Sequence, residues 1–181
     1  MIRSTLLASF LALTGTMPLS AQDWALDAGA SSVRAETRVF GQAVTAEFAE
    51  FSAEITFDPE ALENARISAR VSTGSGAIAN RDFQTALVSR DGLDPQNHEE
   101  ALFVCEEIVA TDDGYEARGT LTIKGESREA VLPFTVEINE GRAIAQGTLD
   151  VIRADYGVGG SAWAEVAPTV TLHLHIEADA V

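Results

Sequence analysis

The chain has 181 residues, 46% of them hydrophobic, with 12 basic against 28 acidic side chains and a formal charge of −16. Acidity of this size opposes binding to nucleic acid and to anionic headgroups, and its even spread, with no acidic tail, reads as a solvated surface. A single cysteine, Cys105, excludes an internal disulfide.

Residues 1–21 read as an export leader, with Arg3 as the positive start, an apolar run from Leu6 to Leu13, and Leu19-Ser20-Ala21 as the small-residue cleavage end. Thr14, Gly15, Thr16 and Pro18 interrupt the run, so it is too short to span a bilayer. Cleavage after Ala21 would leave residues 22–181, 160 residues with 11 basic and 28 acidic side chains and a formal charge of −17. That length suits one ordinary domain, and the leader implies that it folds in the periplasm.

From there apolar and polar residues alternate, the period a half-buried antiparallel strand requires. Strands are expected at about 32–39, 43–57, 66–72, 101–110, 115–124, 129–138, 142–153 and 169–177. The last is the clearest: Val170, Leu172, Leu174 and Ile176 alternate with Thr169, Thr171, His173, His175 and Glu177. Asp58-Pro59, Asp112-Asp113-Gly114, Gly125-Glu126 and Glu140-Gly141 supply turns. The stretch 76–100 differs, because Phe83, Leu87 and Val88 within Asn80–Arg90 have helical spacing. The expected fold is all-β, a closed or nearly closed antiparallel sheet of about eight strands, with a short helical segment as a lid over one end.

Several short patterns then stand in a familiar order. Phe48-Ala49-Glu50-Phe51 is followed by Ile55-Thr56-Phe57-Asp58-Pro59-Glu60, then by Arg81-Asp82, then by Glu99-Glu100-Ala101-Leu102-Phe103. Further on come Gly119-Thr120-Leu121-Thr122-Ile123-Lys124-Gly125, Val131-Leu132-Pro133 and Arg153-Ala154-Asp155-Tyr156-Gly157-Val158-Gly159. In order and spacing these resemble the YceI family of exported, lipocalin-like barrels, over essentially the whole mature chain. One departure is local: His98 and Glu99 stand where the family usually has a tyrosine–proline pair. The resemblance implies an extended eight-stranded lipocalin-like barrel around a long apolar tunnel, holding a polyisoprenoid, a prenyl quinone or another long-chain lipid. An eight-stranded barrel has room either for its own side chains or for one ligand, so alternation alone leaves core and cavity both open.

The expected tunnel lining is Phe40, Phe48, Phe51, Phe57, Phe103, Phe134 and Trp163, with Leu121, Ile123, Leu172 and Leu174. The plainer reading of each is a core residue. Each methylene of a buried prenyl tail would contribute about 0.8 kcal/mol, so no placed charge is needed along the tunnel. Arg81, Asp82, Arg153 and Asp155 are the expected headgroup contacts at the mouth, against the alternative of turn chemistry or ion pairing. The net acidity favours a neutral quinone or lipid over a pyrophosphate head.

Catalytic signatures such as GxSxG, HExxH, a Gly-rich phosphate loop or CxxC are missing, and no catalytic or metal site is expected. His173 and His175 share one strand face and could hold zinc only with a third ligand such as His98 or Glu177, so they read as solvent-facing. Cys105 shares a face with Phe103 and reads as an inert buried thiol. The expected function is a periplasmic binding or carrier protein for an isoprenoid-type lipid, a polyisoprenoid or prenyl quinone, with no covalent cofactor and no turnover. Its expected partners are that lipid, a quinone-using membrane protein and, as an option, a second copy of the chain. Two alternatives stand beside it: a quinone- or metal-dependent redox accessory, and a packed adaptor barrel that binds a membrane protein.

Overall fold

The computed structural model describes residues 21–181, so the leader read at 1–21 lies outside the described residues except for Ala21. The alternating segments form eleven strands: β1 (Asp23–Leu26), β2 (Ser32–Val39), β3 (Gln42–Phe48), β4 (Phe51–Thr56), β5 (Arg66–Ser72), β6 (Gly76–Ala77), β7 (Glu100–Thr111), β8 (Gly114–Ile123), β9 (Glu126–Asn139), β10 (Arg142–Ile152) and β11 (Thr169–Ala180). Antiparallel pairing runs β1–β4–β5–β7–β8–β9–β10–β11, and β11 returns to β1 through Trp24 opposite Ala180. β2, β3 and β6 continue β1, β4 and β5 toward one end, so eleven segments make a closed barrel eight strands around. The one α-helix among the described residues, α1 (Arg81–Leu87), stands where helical spacing occurs in the sequence.

Two expected boundaries differ. The single strand expected at 43–57 is two, because Ala46 and Phe48 line the interior and then Phe51, Ala53 and Ile55 do, which shifts the alternation at Ala49-Glu50. Strands β1 and β6 fall outside the expected set; four and two residues are too few to show a period. The break between β1 and β2 is a turn in which the Asp27 Oδ1 accepts from the Gly29 and Ala30 N–H groups at 3.1 and 3.2 Å.

Connectivity makes the two ends unlike. One end carries the turns at 57–65, 112–113 and 140–141 together with the first and last described residues, and it is filled. Trp24, only 7% exposed, packs there with Phe57, Ile108, Ala117, Ala143 and Ala178. Its indole N–H donates to the Phe57 carbonyl at 2.9 Å, and the Phe57 ring meets Tyr115 edge-on at 5.2 Å. The other end carries the turn at 40–41, the 78–99 segment with α1, the turn at 124–125 and the 153–168 connection. Gly119 is required midway up the wall, because a Cβ there would collide with the Val104 carbonyl oxygen of β7.

An ionic network clasps the filled end. The Arg142 guanidinium donates to Glu177 at 2.7 Å, to Asp27 at 2.9 Å and to Asp179 at 2.9 Å, tying β10 to β11 and to the turn after β1. His175 Nε2 lies 3.0 Å from the other Glu177 oxygen. Hydrogen bonding from Arg142 holds the Glu177 carboxyl below its ordinary value, helped by His175, and hydrogen bonding from Arg142 does the same for Asp27. A depressed carboxylate stabilises the fold above its unfolded value, and that stability is lost as pH falls through the folded one. The denaturation midpoint should therefore decline as pH drops through and below the ordinary carboxylate range, and Arg142→Gln should flatten that decline. Identical pH profiles for both proteins would remove the network from the account.

Candidate functional site

A filled barrel would bury its inward residues completely. Here Val170, Leu172, Leu174 and Ile176 of β11 are only half-buried although they face inward, as are Phe48, Phe51 and Phe103. The reason is a cavity of about 480 Å³ running from the filled end to the opposite mouth. Small side chains at mid-height create it. Ala35 of β2 stands opposite Ala46 of β3, and Ala53 of β4 opposite Ala69 of β5, all four on the lining.

The lining is apolar to an extent the composition does not foreshadow. Of 28 acidic residues in the chain, Glu165 alone reaches it. The structure brings Phe40, Phe48, Phe51, Phe57, Phe103, Leu121, Ile123, Phe134, Trp163, Leu172 and Leu174 together around this space, with Arg153 at the mouth. Arg81, Asp82 and Asp155 stand outside it. Arg81 and Asp82 form the exposed first turn of α1, where the Asn80 side chain accepts from the Asp82 and Phe83 N–H groups and so caps the helix. Asp155 is exposed on the single helical turn Arg153–Tyr156.

Arg153 is committed to the backbone. Its guanidinium donates to the carbonyls of Ala167 at 3.0 Å, Val158 at 3.0 Å, Trp163 at 3.1 Å and Val166 at 3.0 Å, and it lies over the Trp163 ring at 5.6 Å. Four of its five N–H groups are thereby used. The glycines after it follow: a Cβ on Gly159 would occupy the space of this guanidinium, and Gly159 also has φ +119°.

The segment over the mouth is stitched down in the same way. Thr73, fully buried, donates its hydroxyl to the His98 carbonyl at 2.6 Å, and Gln84 donates to the Gly76 carbonyl at 2.9 Å. Lys124 Nζ donates to the carbonyls of Arg90 at 2.6 Å and Gly157 at 2.9 Å, joining three mouth segments at one ammonium. Ile78, Phe83, Leu87 and Leu93 of this segment line the cavity.

Residue-by-residue reasoning passed over the alanines and Tyr156. Pairing between β9 and β10 stops at Phe134 opposite Gly147, next to Pro133, which has no N–H to donate. Tyr156, 5% exposed, joins Leu121 and Val151 beside that seam, in one cluster with Ala130 of β9, and burial pushes its phenol up from the ordinary value. The signal for a cavity was the inward alanines; aromatic residues drew attention because they bury the most area.

His173 and His175 point outward from β11, half-buried, and no cluster of three His, Cys, Asp or Glu able to hold a metal occurs among the described residues. Cys105 is 2% exposed and burial pushes its thiol up, which disfavours the reactive thiolate.

Fold and cavity together define a small closed β-barrel of the lipocalin-like class, with an apolar interior open at one end. Sequence comparison matches the YceI-like domain over residues 24–178, and the chain belongs to that family. Burkholderia cenocepacia BcnA is similar in structure, with a TM-score of 0.79 and 26% identity over 84% of this chain and 98% of that one. A polyisoprenoid binding domain from Saccharophagus degradans, implicated in plant cell wall breakdown, shares the fold at a TM-score of 0.68 and 14% identity, over 88% and 99% of the two chains. The Campylobacter jejuni YceI protein does so at 0.66 and 20%, over 74% and 83%. No curated protein matches the sequence. No helix among the described residues is long and apolar enough to cross a membrane.

The Arg153 geometry makes a test. Arg153→Lys keeps the charge but loses the planar fork, so it should lower stability by about 2 kcal/mol and expose the 157–167 connection to limited proteolysis. Denaturation and proteolysis matching the parent protein would show that the clasp does not hold the mouth.

Proposed function

We propose that the protein is an exported binding and carrier protein for a long apolar isoprenoid-type lipid, a polyisoprenoid or prenyl quinone, held in the barrel without turnover or covalent cofactor. The observation that carries this reading is the cavity of about 480 Å³ whose lining includes a single carboxylate. A space of that size falls within the ordinary range of ligand sites, and apolar walls facing it have no partner atoms until something fills it. An extended chain of isoprene units suits a tunnel between sheet walls, because each buried methylene adds about 0.8 kcal/mol without any polar group to orient it. The likeness to the polyisoprenoid binding domain of Saccharophagus degradans supports the same ligand class.

In this reading Phe48, Phe51, Phe103, Leu121, Leu172 and Leu174 grip the tail, while Phe40 and Trp163 stand at the mouth. A neutral head suits the cavity opening beside Arg153, whose guanidinium is already bonded to carbonyls. Mass spectrometry of an organic extract from natively purified protein should find one long-chain isoprenoid or quinone per chain. A blank extract that stays blank after incubation with membrane lipids would end the proposal.

Filling the void gives a second check. Ala35→Leu with Ala69→Leu should sharply reduce lipid bound per chain and leave thermal stability unchanged or raised. In a packed interior the same additions would cost about 1–3 kcal/mol each, so a clear loss of stability with lipid content unchanged would argue for a filled core.

A further inference from the structure

Phe40 stands apart from every other aromatic residue of the barrel. It is 72% exposed, at the tip of the β2–β3 turn, yet it also borders the cavity mouth. Its φ is +50°, a left-handed conformation that bulky side chains rarely adopt and that costs backbone strain. The tip is held firmly: the Phe40 N–H donates to the Glu165 carbonyl at 3.1 Å, Val39 bridges to Val166, and Arg38 donates to the Gly41 carbonyl at 3.1 Å. An aromatic ring is thus presented to solvent, at the opening, by a fixed hairpin.

Charge divides between the two ends in a way that says what the ring could meet. The connections of the filled end carry Asp58, Glu60, Glu63, Asp112, Asp113 and Glu140 and no cation. Those of the mouth carry Arg81, Arg90, Lys124 and Arg153, with Arg38 beside the turn, against Asp82, Asp91, Asp94, Glu99, Asp155 and Glu165. None of those five mouth cations forms a salt bridge among the described residues, whereas Arg70, Arg118, Arg128 and Arg142 all do. Arg38 aside, the mouth connections carry four cations against six carboxylates, where those of the filled end carry six carboxylates and no cation, and none of the mouth cations is paired with a carboxylate among the described residues. β11 has 12 residues and spans roughly 40 Å, several times the Debye length of about 8 Å, so the acidic end does not repel a surface lying against the mouth.

We propose that the mouth end docks on a phospholipid bilayer, with Phe40 inserted at the headgroup boundary and Arg38, Arg81, Arg90 and Lys124 facing the phosphates. The proposal rests on the carrier reading above and adds to it the orientation in which lipid would enter: the cavity opens directly onto the membrane, and the acidic end points into the aqueous phase. An aromatic tip with a polar, partly cationic surround matches the composition of the bilayer interface.

Flotation with vesicles of equal parts phosphatidylethanolamine and phosphatidylglycerol tests it. The parent protein should float with the vesicles, and Phe40→Asn should bind about tenfold more weakly, since asparagine tolerates the left-handed turn and only the ring is lost. Arg81→Ser with Arg90→Ser should weaken binding to these vesicles and leave binding to pure phosphatidylcholine unchanged. Parent protein that stays unbound, or a Phe40→Asn variant that floats equally well, would overturn the proposal, the first result pointing to a protein partner at the mouth. The organic extract of Arg81→Ser with Arg90→Ser, two residues outside the cavity lining, should match that of the parent, which separates docking from ligand holding. Vesicle binding by a protein whose extract is blank would uphold docking and sink the carrier reading.

Discussion

Closing eight strands into a barrel fixes an interior volume, and the inward residues must either fill it or leave it. At one end they fill it, with the rings of Phe57, Tyr115 and Phe134 in mutual contact and Trp24 in the same cluster. At mid-height Ala35, Ala46, Ala53 and Ala69 do not, and the remaining walls stand too far apart to collapse because backbone ladders hold them. Hydrogen bonding around the ring therefore sustains a void that the hydrophobic effect alone would close.

Stability and binding are accordingly separated along the barrel axis. The filled end concentrates aromatic packing and the Arg142 network, both indifferent to what occupies the cavity. The mouth is held by side chains that bond to backbone carbonyls: Arg153, Lys124 and Thr73 each bind two or more loop carbonyls. Such bonds fix the loops alongside one small apolar cluster, in which Tyr156 of the 153–168 connection packs on Leu121 and Val151. Arg153 illustrates how a residue prominent in a family pattern can serve architecture. It borders the cavity, but its donors are directed at the connection between β10 and β11.

Much of the fold was legible because its information is local. Alternation within β5, β7, β8, β9, β10 and β11, and the helical spacing of Phe83 and Leu87, appear in the residues themselves. The break at Ala49-Glu50 went unread, because the shift of phase between Phe48 and Phe51 takes on meaning only once β3 pairs with β2 and β4 with β1. The inward aromatic and aliphatic residues expected to line a tunnel could be named from strand parity. Arg81, Asp82 and Asp155 were tied to the mouth by position in a pattern, and their side chains turned out to serve a helix start and an exposed turn.

By itself the sequence determined the β character, the apolar faces, the position of the lid segment and the acidity of the surface, because each depends on neighbours a few residues apart. Tertiary structure decided whether the apolar faces meet. Whether Ala35, Ala46, Ala53 and Ala69 leave a hole depends on which residues stand across the barrel from them, and that is set by closure through Trp24 and Ala180. Tertiary structure also placed the cations of three separate connections at one end and six carboxylates of three others at the opposite end, since strand direction assigns each turn to an end. Partner identity across a closed sheet is a long-range property, and no local period encodes it.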